Sequence, residues 1–212
     1  RNKFNLKNKN IVLDDAVDLN NHLVKKKIKI QRNTCVYTGS LAKGKGLEKI
    51  IQISTILKNI KFDIYGDFEN SNYDEEKLKK YKNIKYHGYI EYRKIPEILK
   101  KYQILLMPYS KKVYVRAKNI EAGKYMSPMK LFDYMDSNRL ILASRINVYL
   151  HILNERNSIL VKSQSPEYWA KKINYVFKNY RKFSYLRKNA YKKVANFTWE
   201  KRVDKILNFV NE

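Results

Sequence analysis

Six short apolar runs, separated by longer amphipathic stretches, constrain this chain more than any other feature of it. They read CVYTG (35–39), KFDIYG (61–66), NIKYHG (83–88), QILLMP (103–108), RLILAS (139–144) and NSILVK (157–162), several ending in Gly, Pro or Ser. Runs closer to continuously apolar than to alternating belong to parallel strands buried on both faces, and parallel strands need crossover connections. The intervening stretches supply them. Leu47, Ile50, Ile53 and Leu57 fall at helical spacing, and Pro96 stands near the start of KIPEILKKY, where a first helical turn tolerates proline. Residues 167–210 read as two or three further helices with no strand. The pattern predicts an α/β fold, a doubly wound six-stranded parallel sheet with extra C-terminal helices.

A chain of 212 residues can bury a core without disulfide staples. The single cysteine, Cys35, excludes a disulfide framework and a multi-cysteine zinc site, and it predicts a core thiol in a reducing compartment. No apolar stretch approaches the ~20 residues of a membrane-spanning helix. Residues 1–30 are less regular and form an opening segment ahead of a domain at 31–212, with one candidate strand, NIVLD (10–14), and a lysine cluster, KKKIK (25–29). Arg1 stands in a polar stretch, which suggests a piece of a longer polypeptide. With 45 Lys+Arg against 20 Asp+Glu, the formal net charge is +25. Such a surface suits nucleic acid, anionic lipid or a phosphate-bearing small molecule, and part of the excess is what A/T-rich coding imposes.

A doubly wound sheet takes its ligands beyond the carboxyl ends of its strands, here at loops 39–46, 66–73, 88–95, 108–128 and 144–149. The first, GSLAKGKG (39–46), follows the pattern G-x-x-x-x-G-K through Gly44 and Lys45. Gly46 then stands where a magnesium-holding Ser or Thr belongs, and QILLMP ends on Pro108 instead of Asp, so a nucleotide hydrolase fits poorly. The broader physics survives: a glycine-rich turn into a helix presents amides to an anion, with Lys45 as a point charge. The alternative, glycines that merely turn and a solvated Lys45, stays open.

The second signal is MSPMKLFDYMDSN (126–138), where Ser127 is expected to cap a helix and Pro128 to occupy its first position. Lys130 then opposes the helix dipole, which makes sense if a ligand brings negative charge. Asp133, three residues on and on nearly the same face, could offer a carboxylate to sugar hydroxyls; an ordinary cap with an exposed ion pair is the competing reading. The irregular loop 109–125 carries Arg116, Lys118 and one carboxylate, Glu121, which could ion-pair or touch a polar substrate. His22, His87 and His151 are scattered, so no metal site is expected. YKNIKYHGYIEYRK (81–94) interleaves aromatic and basic residues as a single-strand binder would, but strand alternation explains it more cheaply, and no nucleic-acid partner is expected.

Taken in order, the segments resemble the C-terminal, donor-binding half of GT-B glycosyltransferases, particularly the family 4 (group 1) enzymes. IVLDDAVD (11–18) resembles the opening of that half, and YTGSLAKGKGLEKII (37–51) its first strand, glycine turn and helix. IYGD (64–67), IKYHGYI (84–90) and ILLMPYS (104–110) match the next strand ends; SPMKLFDYMDSNRLILAS (127–144) and FTWEKRVDKIL (197–207) match later helices. The resemblance implies a Rossmann-like domain with a nucleoside-diphosphate sugar across its strand ends. It places the diphosphate at Gly39, Ser40, Lys45, Ser127, Pro128, Met129 and Lys130, the base near Tyr89 and Ile90, and the ribose at Asp133, where the family usually has Glu. Two departures stand out. Ser40 occupies a position commonly Arg, and the usual pair of glutamates eight apart is absent, since Tyr125 stands eight before Asp133; Glu121 is then the candidate catalytic residue beside the donor sugar. The resemblance also implies retention of anomeric configuration, no cofactor and no obligatory metal. It implies a glycan or lipid-linked acceptor in cell-envelope or capsular polysaccharide synthesis, and an N-terminal acceptor domain, outside this chain, without which turnover is weak. A cytoplasmic site is expected, compatible with docking to an anionic membrane. A P-loop-like ATP/GTP-binding protein and a basic nucleic-acid module are the alternatives.

Overall fold

A computed structural model describes residues 10–19, 28–68, 71–114, 123 and 125–211. All six expected strands form: β1 (Thr34–Thr38), β2 (Lys61–Tyr65), β3 (Ile84–Tyr86), β4 (Ile104–Met107), β5 (Leu140–Ser144) and β6 (Ile159–Val161). They pair in parallel in the order β3-β2-β1-β4-β5-β6. β1, β4 and β5 are buried along their whole length, as their continuous apolar runs require, and Cys35 is a free thiol in that core.

The order carries a functional consequence. From β1 the chain steps outward to β2 through α1 (Leu47–Ile56), then through α2 (Glu75–Lys79) to β3. After α3 (Ile95–Leu99) it enters β4 on the other side of β1 and steps the opposite way through α4 (Lys130–Asp136) to β5. Right-handed crossovers in opposite directions put α1 and α4 on opposite faces and leave a crevice beyond the ends of β1 and β4.

Three helices follow β6: α5 (Pro166–Lys178), capped by the Ser165 side chain at the Tyr168 amide, α6 (Ser184–Val194) and α7 (Trp199–Asn211). α5 packs beside α1 and α6 beside α4, closing the two faces. Trp169 of α5 is fully buried and donates its indole N–H to the Ser163 carbonyl at 2.9 Å. No α7 residue is buried, and Trp199, Val203, Ile206, Leu207 and Val210 are exposed along it. Among the described residues, no helix is long and apolar enough to cross a membrane.

NIVLD (10–14) is not a strand. The described opening residues make a single isolated bridge, Val17 to Thr198, at the start of α7. Ile11 and Val12 stay exposed, and the burial expected of them falls to Ala16 and Val17. Asp14 meanwhile bonds to His151 at 2.8 Å and its carbonyl to Arg202, so polar contacts and the burial of Ala16 and Val17 hold this segment in place of a ladder.

Candidate functional site

β1 runs into the glycine turn. Gly39 has φ +110°, and Gly46, at the N-cap of α1, has φ +102° with no side-chain cap. A Cβ on Gly46 would stand 2.5 Å from the Pro108 carbonyl oxygen, so only glycine fits where this turn touches the end of β4. Ser40 shapes the turn: its carbonyl accepts from the Tyr37 hydroxyl at 2.8 Å and its Oγ from the Ala42 amide at 3.3 Å. Lys45 is half-buried, its amide bonded to the Ala42 carbonyl at 3.0 Å.

The second helix start differs from expectation. Ser127 does not cap α4; its Oγ accepts from the Asp15 amide at 3.0 Å. The helix begins at Lys130, with Met129 in the cap position and Pro128 ahead of the helix. The Leu131 and Phe132 amides turn inward to the Pro128 and Met129 carbonyls at 2.9 and 3.0 Å. Ser127 is drawn to the opening segment instead, and α4 starts three residues later with no side-chain cap.

Tyr134 aims α4. Its hydroxyl accepts from the Thr38 amide at 3.0 Å, pinning the helix against the end of β1. One turn earlier, Lys130 lays its Nζ 3.6 Å from the centre of the Tyr37 ring and 5.3 Å from that of Tyr109. That Nζ is buried and has no hydrogen-bond partner among the described residues. A Cβ on Gly39 would come within 3.0 Å of it, so the absence of a side chain there is what admits the ammonium. Burial first, then the nearby Lys45 charge, hold the Lys130 pKa well below the ordinary lysine value, against a smaller opposing pull from Asp133. The two lysines therefore share one neighbourhood at the crevice between β1 and β4.

Beside them lies a cavity of about 240 Å³ between the ends of β1 and β2 and the turn after β3, with Gly39, Ser40, Tyr89, Ile90 and Tyr92 in its wall. Tyr92 opens a short 3-10 turn, Tyr92–Lys94, and donates its hydroxyl to Asp133 Oδ1 at 3.1 Å. Burial lifts the Asp133 carboxyl to about 7; the Tyr92 hydrogen bond and Lys130 pull it down, and Asp136 and Asp18 push it further up. A second cavity, between the opening segment and α7, holds about 20 Å³, little more than one water.

The structure thus sets Gly39, Ser40, Tyr89 and Ile90 in one cavity wall, lays Lys130 against Gly39 with the Lys45 charge near it, sets Asp133 behind Tyr92, leaves Met129 exposed, and ties Ser127 to the opening segment. Glu121, Arg116, Lys118, His22 and Lys25 to Lys27 lie outside the described residues. Among the described residues no group of three or more His, Cys, Asp or Glu converges as a metal would need. Tyr37, Tyr109 and Tyr92 were not singled out by sequence. Tyr37 and Tyr109 sit at the ends of apolar runs, and Tyr92 in the aromatic and basic stretch whose cheaper explanation was strand alternation.

The model of the glycosyl transferases group 1 family matches residues 32–179. Among solved structures, a mutant of S. aureus TarM in complex with fondaparinux, alpha-GlcNAc-glycerol and UDP is similar at 16% identity, over 88% of this chain and 37% of that one, with a TM-score of 0.65. Anabaena HepE in complex with UDP-glucose is similar at 12% identity, over 85% of this chain and 49% of that one, TM-score 0.66. The C-terminal domain of LpcC, a glycosyl transferase group 1 family protein from Francisella tularensis, is similar at 18% identity, over 86% of this chain and 94% of that domain, TM-score 0.61. No curated protein matches the sequence. At these identities the structures share the fold, and this chain spans less than half the length of TarM or HepE. With a sheet of this order and a family match over more than half of its length, the chain belongs to the glycosyl transferases group 1 family.

Proposed function

We propose that this chain is the donor-binding half of a glycosyltransferase that moves a sugar from a nucleoside-diphosphate sugar to a glycan or lipid-linked acceptor. One observation carries the reading: a buried Lys130 ammonium with no hydrogen-bond partner among the described residues, beside Lys45 and a glycine turn, at the switch point of the sheet. A desolvated cation costs free energy until an anion reaches it, so this arrangement is poised for a diphosphate. Cleavage at the anomeric carbon leaves the bonding pair on a terminal diphosphate oxygen. A lysine already stripped of water, held over Tyr37 on a helix that Tyr134 pins, stabilises that growing charge without reorganising. Lys45 adds a second positive charge, and together they stand in for the cation that Ser40 lacks, so this reading calls on no resident metal.

The base would enter the cavity at Tyr89 and Ile90, and the ribose the side toward Asp133. The UDP and UDP-glucose complexes of the TarM and HepE structures support a nucleotide-sugar donor. Glu121 is proposed beside the donor sugar. The acceptor and any catalytic base would come from an N-terminal domain, in the assembly of envelope glycans. The net charge of +25 is compatible with docking to an anionic membrane, which this reading puts on the cytoplasmic side.

The test is a thermal-shift and calorimetric panel of UDP, GDP, dTDP and ADP with the parent chain, Lys45→Ala and Lys130→Ala. At least one diphosphate is expected to stabilise the parent. Lys130→Ala should weaken that diphosphate about 10- to 100-fold, the worth of a hydrogen bond to a charged group. Indifference of the parent to all four would overturn the reading.

A further inference from the structure

Resting on that reading, a second question is which group meets the ribose. The residue expected to do so, Asp133, is one methylene shorter than the Glu it replaces, and its Oδ1 is already bonded to the Tyr92 hydroxyl at 3.1 Å. Tyr92 lines the cavity, together with Tyr89, Ile90 and Gly39, and Asp133 does not. Tyr92 is 38% exposed, whereas Asp133 is mostly covered and has Asp18, Asp136 and Lys130 for charged neighbours. We propose that Tyr92 is the ribose-facing, specificity-determining residue of this site, and that Asp133 acts through it as a positioning residue.

The chemistry follows from what a phenol can do. Its one proton is committed to Asp133, leaving oxygen lone pairs that can accept from a sugar hydroxyl. Burial first, then the Asp133 charge, raise the Tyr92 pKa, so it remains a neutral phenol at any working pH. A ribose hydroxyl would therefore donate to Tyr92, and Tyr92 to Asp133, each bond polarising the next. In that chain the phenol supplies the reach that the shortened carboxylate lacks. It also fixes the hydroxyl as a donor, so a sugar without it leaves the phenol oxygen unpaired in the wall of the cavity.

The experiment compares binding of a ribonucleoside diphosphate identified by the panel with its 2′-deoxy and 3′-deoxy forms, across the parent chain, Tyr92→Phe, Asp133→Asn and Asp133→Ala. Removing the contacted hydroxyl is expected to weaken parent binding about 5- to 30-fold. Tyr92→Phe should bind the ribose and deoxyribose forms about equally, at the parent's deoxy affinity. Asp133→Ala should lose most of the discrimination although Tyr92 is present. Asp133→Asn keeps an acceptor oxygen and should restore part of it, a rescue that a purely structural role would not produce. Tyr92→Phe retains the ring, and an unchanged melting temperature shows that its effect is not unfolding. If Tyr92→Phe discriminates as well as the parent while Asp133→Ala does not, the ribose is met by Asp133 itself and this proposal falls while the donor reading stands. A parent that binds no ribonucleoside diphosphate overturns both.

Discussion

The two helix beginnings at the crevice each carry a lysine and are opposite in construction. The start of α1 is built from backbone: left-handed glycines carry the chain past Pro108, and Glu48 already faces the helix dipole in the first turn. The start of α4 is built from side chains: its first amides turn inward, and what faces the crevice is a lysine lodged between two tyrosines. The first has no side-chain cap, but among the described residues it buries no unpartnered side chain. The second carries a desolvated charge that only an anion relieves, which makes α4 the place where binding and stability trade against each other.

Substitutions can break that contrast in order of effect. Gly46→Ala should be the most damaging, because a left-handed backbone at φ +102° costs an alanine about 1–3 kcal/mol, and the overlap with the Pro108 carbonyl adds to that. A fall in melting temperature of roughly 5–10 °C is expected, with nucleotide present or absent. An unchanged melting temperature would mean that the α1 start is not held by its backbone.

Lys130→Met should act with the opposite sign on the ligand-free chain, raising its stability by about 1 kcal/mol while reducing diphosphate-induced stabilisation as Lys130→Ala does. The pH dependence identifies the cause. The folded-state pKa of Lys130 lies below its unfolded value, so the unfolded chain binds the extra proton in the interval between them. Parent stability therefore rises with pH through that interval, and its gap to the methionine variant closes as pH approaches the ordinary lysine value. Diphosphate affinity of the parent should fall as pH climbs through the same lowered pKa. Denaturant titrations at pH 7 and 9.5 check both, and a gap independent of pH would assign the effect to packing.

The smallest change sharpens the comparison from the other side. Ser40→Arg places a guanidinium on the wall of the cavity next to the backbone-built turn, and should tighten diphosphate binding about fivefold with little change in fold stability. No gain would mean that the Lys45 and Lys130 pair already meets the charge of the diphosphate.

Much of the fold was legible because it rests on short-range rules. Six apolar runs at strand length became the six strands, and Gly46 was visible as a glycine where a P-loop has none. The misreadings are long-range. NIVLD has strand composition but meets no sheet edge, and Ser127 has the form of a cap but bonds a backbone amide 112 residues away. The site was legible as a set of residue types at strand ends. Tyr92 was passed over because its hydroxyl matters only through a carboxylate 41 positions later.

By itself, then, the amino-acid order determined the sheet, its crossovers and the glycine turn, since hydrophobic period, chain reversal and positive φ are properties of neighbouring residues. Only the tertiary structure decided that Lys130 would be buried over Tyr37, within reach of the charge of Lys45, and that Tyr92 would stand between Asp133 and the cavity. Desolvation of a charge depends on everything packed around it, and no window of adjacent residues contains that information.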